Sequence, residues 1–199
     1  MAVIIIGLGN TGKEYEQTRH NAGRMAVEVL AKQGGFSPFV LNKKAQALIA
    51  TGTLGKEKVT LALPETMMNL SGKTASALVK SVKAAKQLLV VHDDLDLPLG
   101  TIKMVFARGS GGHKGVESIA RALKTKDFVR LRIGISAQGK KNQAKKVQGE
   151  EKVIKHVIGK FKPAEEAALK KTLNKSVVAA ELFATEGIEA ATLFANTRK

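Results

Sequence analysis

The sequence predicts an α/β fold: one globular domain in which a mixed, twisted sheet is surrounded by helices. Three observations predict it. Short β-branched apolar runs, Ala2-Val-Ile-Ile-Ile-Gly7 and Leu88-Leu-Val-Val91, read as strands buried on both faces. Between such runs lie segments whose apolar residues recur at helical spacing. With 199 residues and 44% hydrophobic content, the chain suffices for one core.

In chain order, the first run is followed by a polar, glycine-rich stretch to Arg19. Ala22 to Lys32 is expected to be a helix with Met25, Ala26, Val29 and Leu30 on one face. Ala45 to Thr53 and Lys58 to Leu63 read as strands joined by a turn at Leu54-Gly-Lys56. Ser71 is placed to cap a helix carrying Ala75, Leu78, Val79 and Val82 at i, i+3, i+4 and i+7. The strand at Leu88 is expected to end at His92-Asp-Asp94, and Thr101 to Phe106 forms the next one. Gly109 to Gly115 then opens a helix with Val116, Ile119, Ala120 and Leu123 inward. Phe128 to Ile135 alternates apolar residues with Arg130 and Arg132, as a half-exposed strand does. From Lys162 onward the pattern is helical, striped by Leu169, Leu173, Val177 and Ala180. Residues 1–199 are expected to form one domain, with residues 138–152 a flexible basic segment.

Composition narrows the function. Lys and Arg number 33 against 17 Asp and Glu, a net charge of +16 that favours a polyanionic partner. There is no Trp and one Tyr, which disfavours an aromatic platform for stacking bases and favours contact with phosphates. The absence of cysteine excludes disulfides, thiol nucleophiles and thiolate metal sites. No run approaches the roughly 20 apolar residues of a membrane span. Nor does the N-terminus read as a signal peptide. A cytoplasmic monomer that does not touch membrane is expected.

Two nucleotide-binding motifs appear at the N-terminus and both fail. Gly7-Leu-Gly-Asn-Thr-Gly12 matches the dinucleotide fingerprint, but Lys13 to His20 has no apolar face with which to build the helix that fingerprint requires. Gly7 to Lys13 fits a P-loop, but Glu14 stands where Ser or Thr should meet the metal ion, and a carboxylate there repels phosphate.

Four polar clusters sit where an α/β sheet exposes side chains to a cleft: Asn10 with His20 and Asn21; Met67-Met-Asn69; His92-Asp-Asp94; and the glycine loop bearing His113 and Lys114. Asp93, Asp94 and Asp96 invite a metal-site reading. Alternation along an extended segment turns Asp93 and Asp94 to opposite sides, which makes one shared ion awkward, and Asp96 suits a cap on the Leu97-Pro98 turn. Gly109 to Gly115 offers backbone amides to a phosphate. Lys103, Arg108, Lys114 and Arg132 could surround the cleft with charge, and Lys140, Lys141, Lys145 and Lys146 could extend it.

Taken together, these pieces resemble the bacterial peptidyl-tRNA hydrolase family over nearly the whole chain. The matching segments are Gly7 to Asn10, Tyr15, Thr18 to Gly23, Met68 to Lys73, His92 to Pro98, Gly111 to His113 with Gly115, and Arg130 to Ile135. The resemblance implies an ester hydrolase that frees a peptide from the 3′ end of tRNA, with no metal and no cofactor. It implies catalysis by His20 as general base, Asp93 as its orienting partner and Asn10 as an amide donor. Tyr15, Met67, Asn69, Lys114, His113, Lys103 and Arg132 would then contact the acceptor stem and 3′ end of peptidyl-tRNA. The chain departs from the family pattern at Lys114, where Asn is usual, at Thr11, Met67 and Val105, and in its longer basic segment. Two alternatives remain at this stage: a non-catalytic RNA-binding protein on the same scaffold, and a metal-dependent nuclease.

Overall fold

The computed structural model describes residues 2–139 and 143–197. Among these, seven strands make one sheet: β1 (Val3–Gly7), β2 (Val40–Asn42), β3 (Ala47–Leu54), β4 (Glu57–Pro64), β5 (Leu88–Pro98), β6 (Ile102–Phe106) and β7 (Val129–Ser136). Their spatial order is β2-β3-β4-β1-β5-β7-β6. The four inner strands β4, β1, β5 and β7 run parallel, and the outer pairings are antiparallel. The helices are α1 (Ala22–Gln33), α2 (Gly72–Leu78), α3 (Val82–Ala85), α4 (Lys114–Leu123), α5 (Glu150–Val157), α6 (Glu166–Thr185) and α7 (Ile188–Asn196).

Helices cover both faces, which is why β1 and the Leu88 to Val91 stretch of β5 are apolar without interruption. Val3, Ile5, Leu89 and Val91 pack with α1, α6 and α7, whereas Ile6, Val90 and Leu88 pack with α2, α3 and α4. Parallel strands end at the same sheet edge, so the loops after β1, β4, β5 and β7 gather there, where α/β folds place their ligands.

Several local expectations differ from the structure. Ser71 is in helical conformation and gives its hydroxyl to the Met68 carbonyl, so it does not cap. The expected single helix breaks at Val79, and Ser81 caps the short α3, leaving Val82 exposed. Strand β5 runs on through His92-Asp-Asp94 to Pro98, because β7 pairs with it past that point. Strand β7 is not half-exposed: β5 and β6 flank it, and Arg130 is only 3% exposed. Among the described residues the Asp96 side chain caps no turn; its backbone N–H donates to the Asp94 carboxylate. The exposed edge strand β2 and the helix α5 carried no periodic signal strong enough to read. Of the basic segment, Lys140 and Lys141 lie outside the described residues; α5 begins inside its far end, at Glu150.

Helix α1 rests on β5 through Gly23. A Cβ there would stand 2.2 Å from the Val91 carbonyl oxygen, an impossible approach. Glycine is therefore what lets the His20 turn lie against the strand bearing Asp93. Gly23→Ala is expected to cost about 1–3 kcal/mol by forcing helix and strand apart. An unchanged urea midpoint would show that the packing has room to spare.

Candidate active site

The chain between β1 and α1 is held at both ends. Leu8 N–H donates to the Val91 carbonyl and Arg24 N–H to the Leu8 carbonyl. Across the loop, Asn10 N–H donates to Asn21 Oδ1 and Asn21 Nδ2 donates back to the Asn10 carbonyl, at 2.9 and 3.0 Å. Arg19, next to the catalytic candidate, is buried. It donates to the Ile135 carbonyl at 3.1 Å and to Glu165 at 2.6 Å, and it lies over the Phe161 ring. The turn Arg19–Asn21 is thereby fixed at the sheet edge, and His20 with it.

His20 Nδ1 meets Asp93 Oδ1 at 2.8 Å, across 73 residues of chain. The same oxygen meets His113 Nε2 at 2.9 Å. Tautomers follow from the partners. His113 stands at the N-cap of α4, where its Nδ1 accepts from the Gly115 and Val116 amides. Its proton is therefore on Nε2, donated to Asp93. His92, fully buried, faces the Asp93 carbonyl through Nδ1 at 2.6 Å, and its Nε2 faces Arg130. It is a neutral ring with Nδ1 as donor, and its edge packs on His113 with centroids 4.6 Å apart. His20, with its Nδ1–H given to Asp93, keeps an Nε2 lone pair that has no partner among the described residues.

The electrostatics agree with this assignment. Burial raises the cost of the Asp93 charge, but electrostatic attraction and hydrogen bonds from His20 and His113 outweigh it and hold the carboxyl far below its ordinary range. At His20, burial works against the charged ring, and the Asp93 charge and hydrogen bond more than offset it. The net shift is upward from 6.5, with Lys114 opposing. Burial is the main cause that pushes His92 well below 6.5, and the neighbouring His113 and Arg130 add to it.

Asn10 is oriented without ambiguity. Its Oδ1 accepts from the Met68 N–H at 2.8 Å, and because that amide can only donate, the other end of the side chain is the donor Nδ2. Nδ2 has no partner among the described residues. Met67 and Asn69 are exposed around the turn Met68–Leu70, Tyr15 is half-buried in the turn Lys13–Tyr15, and none of the three bonds to the histidine cluster. Lys114 is exposed, and its charge is felt at His20. Lys103 is exposed opposite Arg132 in the β6–β7 register.

Two expected contact residues also have partners within the protein. Both ring nitrogens of His113 are taken, by Asp93 and by the α4 amides, so it supports the acid instead of facing solvent. Arg132 gives Nε to Asp94 Oδ2. Asp93 and Asp94 thus serve separate partners, which disperses the carboxylates of the metal-nuclease reading. His20, Asp93 and His113 do offer three ligand atoms within 4.8 Å of one another. Their shared hydrogens occupy the directions a cation would use. Reading the sequence alone placed His92 in a polar cluster without giving it a role, and it missed Arg130 and Arg19 as site residues; each is a polar residue inside an apolar element or turn, and that mismatch was the available signal. A groove of about 760 Å³ beside α1 shares Asn10 and Asn21 with this site but none of the three clustered residues, so volume does not mark the chemistry.

The family model for peptidyl-tRNA hydrolase matches residues 4–199. The peptidyl-tRNA hydrolase of Prochlorococcus marinus is 41% identical over 195 residues, covering 98% of this chain and 93% of that protein. That of Aquifex aeolicus is 41% identical over 176 residues, with 87% and 85% covered. The crystal structure of the peptidyl-tRNA hydrolase of Acinetobacter baumannii superposes with a TM-score of 0.87 at 33% identity, over 100% of this chain and 96% of that one.

Proposed function

The chain belongs to the peptidyl-tRNA hydrolase family, and from that premise we propose a mechanism in which His20 activates the water that cuts the substrate. Like the family, it is an ester hydrolase acting on peptidyl-tRNA. The observation that carries the mechanism is the His20–Asp93 hydrogen bond, which leaves Nε2 as the basic end of the ring.

Nε2 takes a proton from water as its oxygen attacks the ester carbonyl. Asp93 steadies the imidazolium that results, as the acid of a hydrolase triad does. Asn10 Nδ2 donates to the oxygen on which negative charge gathers. Collapse of the tetrahedral intermediate breaks the bond to the ribose 3′ oxygen, which receives the proton from His20. The products are the peptide carboxylate and tRNA. No serine is required, because water itself attacks the ester.

Tyr15, Met67, Asn69 and Lys114 rim the cleft for the 3′ end, and Lys103 and Arg132 face the acceptor stem. The glycine loop adds amides to that surface. The protein works as a cytoplasmic monomer; among the described residues no helix is long and apolar enough to cross a membrane. The +16 charge would also suit a non-catalytic RNA-binding protein, but the basic ring end of His20 with its acid in place favours the hydrolase.

Purified protein should release the amino acid from N-blocked aminoacyl-tRNA, and failure to do so would overturn the proposal. Asn10→Asp sharpens the test. The new side chain still accepts from the Met68 amide, yet it replaces the donor with an anion. We expect kcat to fall about 100-fold with an unchanged melting temperature. Full activity would remove Asn10 from the mechanism.

A further inference from the structure

A cavity of about 410 Å³ opens after the end of β7, walled by Lys145, Lys146, Lys152, Lys162 and His156. No carboxylate lines it, and among the described residues none of the four lysines is in an ion pair. Four like charges around one hollow repel one another, so the arrangement is eased by an anion inside it. His156 donates from Nε2 to the Ile135 carbonyl at 3.2 Å, which turns its other nitrogen away from that bond.

The cavity lies close to the catalytic turn. The Ile135 carbonyl also accepts from Arg19, the neighbour of His20. Lys162 N–H donates to Glu165 Oε2 at 2.7 Å, and that oxygen also takes Arg19 NH2. Thr18 and Lys160 form a bridge between the same two segments. Strand β7 is parallel to β5, so the hollow beyond its C-terminal end shares a sheet edge with Asp93.

We propose that this lysine-walled cavity is a second anchoring point for the substrate, binding backbone phosphates of the tRNA while its 3′ ester lies at His20. The inference rests on the hydrolase reading. Phosphodiester is the matching chemistry: it supplies closely spaced single charges that several point-charge ammonium groups can share.

The test uses Lys146→Gln/Lys152→Gln in the full chain. Two substrates carry the same N-blocked aminoacyl ester, one on intact tRNA and one on its 3′-terminal trinucleotide. The variant should show a KM for tRNA raised about tenfold, and a dependence of log KM on log salt shallower by about 1–2 units. Its loss on the trinucleotide should be several-fold smaller. Equal losses on both substrates, or a wild-type KM and salt slope on tRNA, would overturn the proposal. If the wild type cleaves neither ester, the hydrolase reading falls instead. Binding of uncleaved tRNA, read by fluorescence anisotropy for both proteins, then still decides the site, a wild-type affinity and salt slope in the variant sinking it.

Discussion

Replacing His20 by alanine is expected to lower kcat on N-blocked aminoacyl-tRNA about 1000-fold, a barrier increase of about 4 kcal/mol. The size follows from what is removed. Among the described residues nothing else at the cleft combines a lone pair, a buried carboxylate behind it and freedom from other partners: His113 and His92 have both nitrogens engaged. KM should change little, because the imidazole acts on water and not on the RNA. The ring is 15% exposed, and its loss removes a bond to Asp93 that His113 still satisfies, so the fold should survive. Circular dichroism with stopped-assay kinetics checks both points. A variant turning over at a tenth of the wild-type rate or better would mean another group activates the water.

Asp93→Asn is expected to lower kcat about 100-fold and also to move the pH profile, and the direction of the move is diagnostic. In the wild type the His20 pKa is raised above 6.5, since the Asp93 charge and hydrogen bond together overcome burial. The neutral ring is the active base. Activity therefore climbs as pH rises through that raised value, and is lost below it. An asparagine keeps an oxygen to accept the two N–H donors but carries no charge. The charge that offset burial and the Lys114 cation at His20 is then gone, and the acid limb should move down from its wild-type position. The variant is slower, yet less sensitive to acid. An acid limb left at its wild-type position would show that His20 does not report through Asp93.

How far the site was legible depends on what each residue interacts with. Asn10, His20 and Asp93 fell in polar clusters that follow buried strands or open a helix, and the family resemblance singled them out within those clusters. The failure of the glycine loop as a nucleotide motif was also legible, since Lys13 to His20 lacks any face to pack; the structure has two short turns there and starts α1 at Ala22. The opposite orientation of Asp93 and Asp94 followed from strand alternation alone, and their separate partners agree with it. The breaks in the expected helix at Val79, by contrast, depended on local backbone angles that periodicity does not encode.

Local chemistry thus determined most of the secondary elements, the unbroken apolar runs of β1 and early β5, and the kinds of residue available for catalysis. Those properties depend on neighbours within a turn or two, and the chain order carries them. Tertiary structure alone decided that one Asp93 oxygen would be shared by His20 and His113, that Arg130 would be buried against His92, and that Arg19 would bolt the catalytic turn to Glu165. Each of these joins residues 20 to 146 positions apart. Which polar group meets which across such a gap is set by strand order and helix packing, and by the high cost of leaving a buried polar group unpaired.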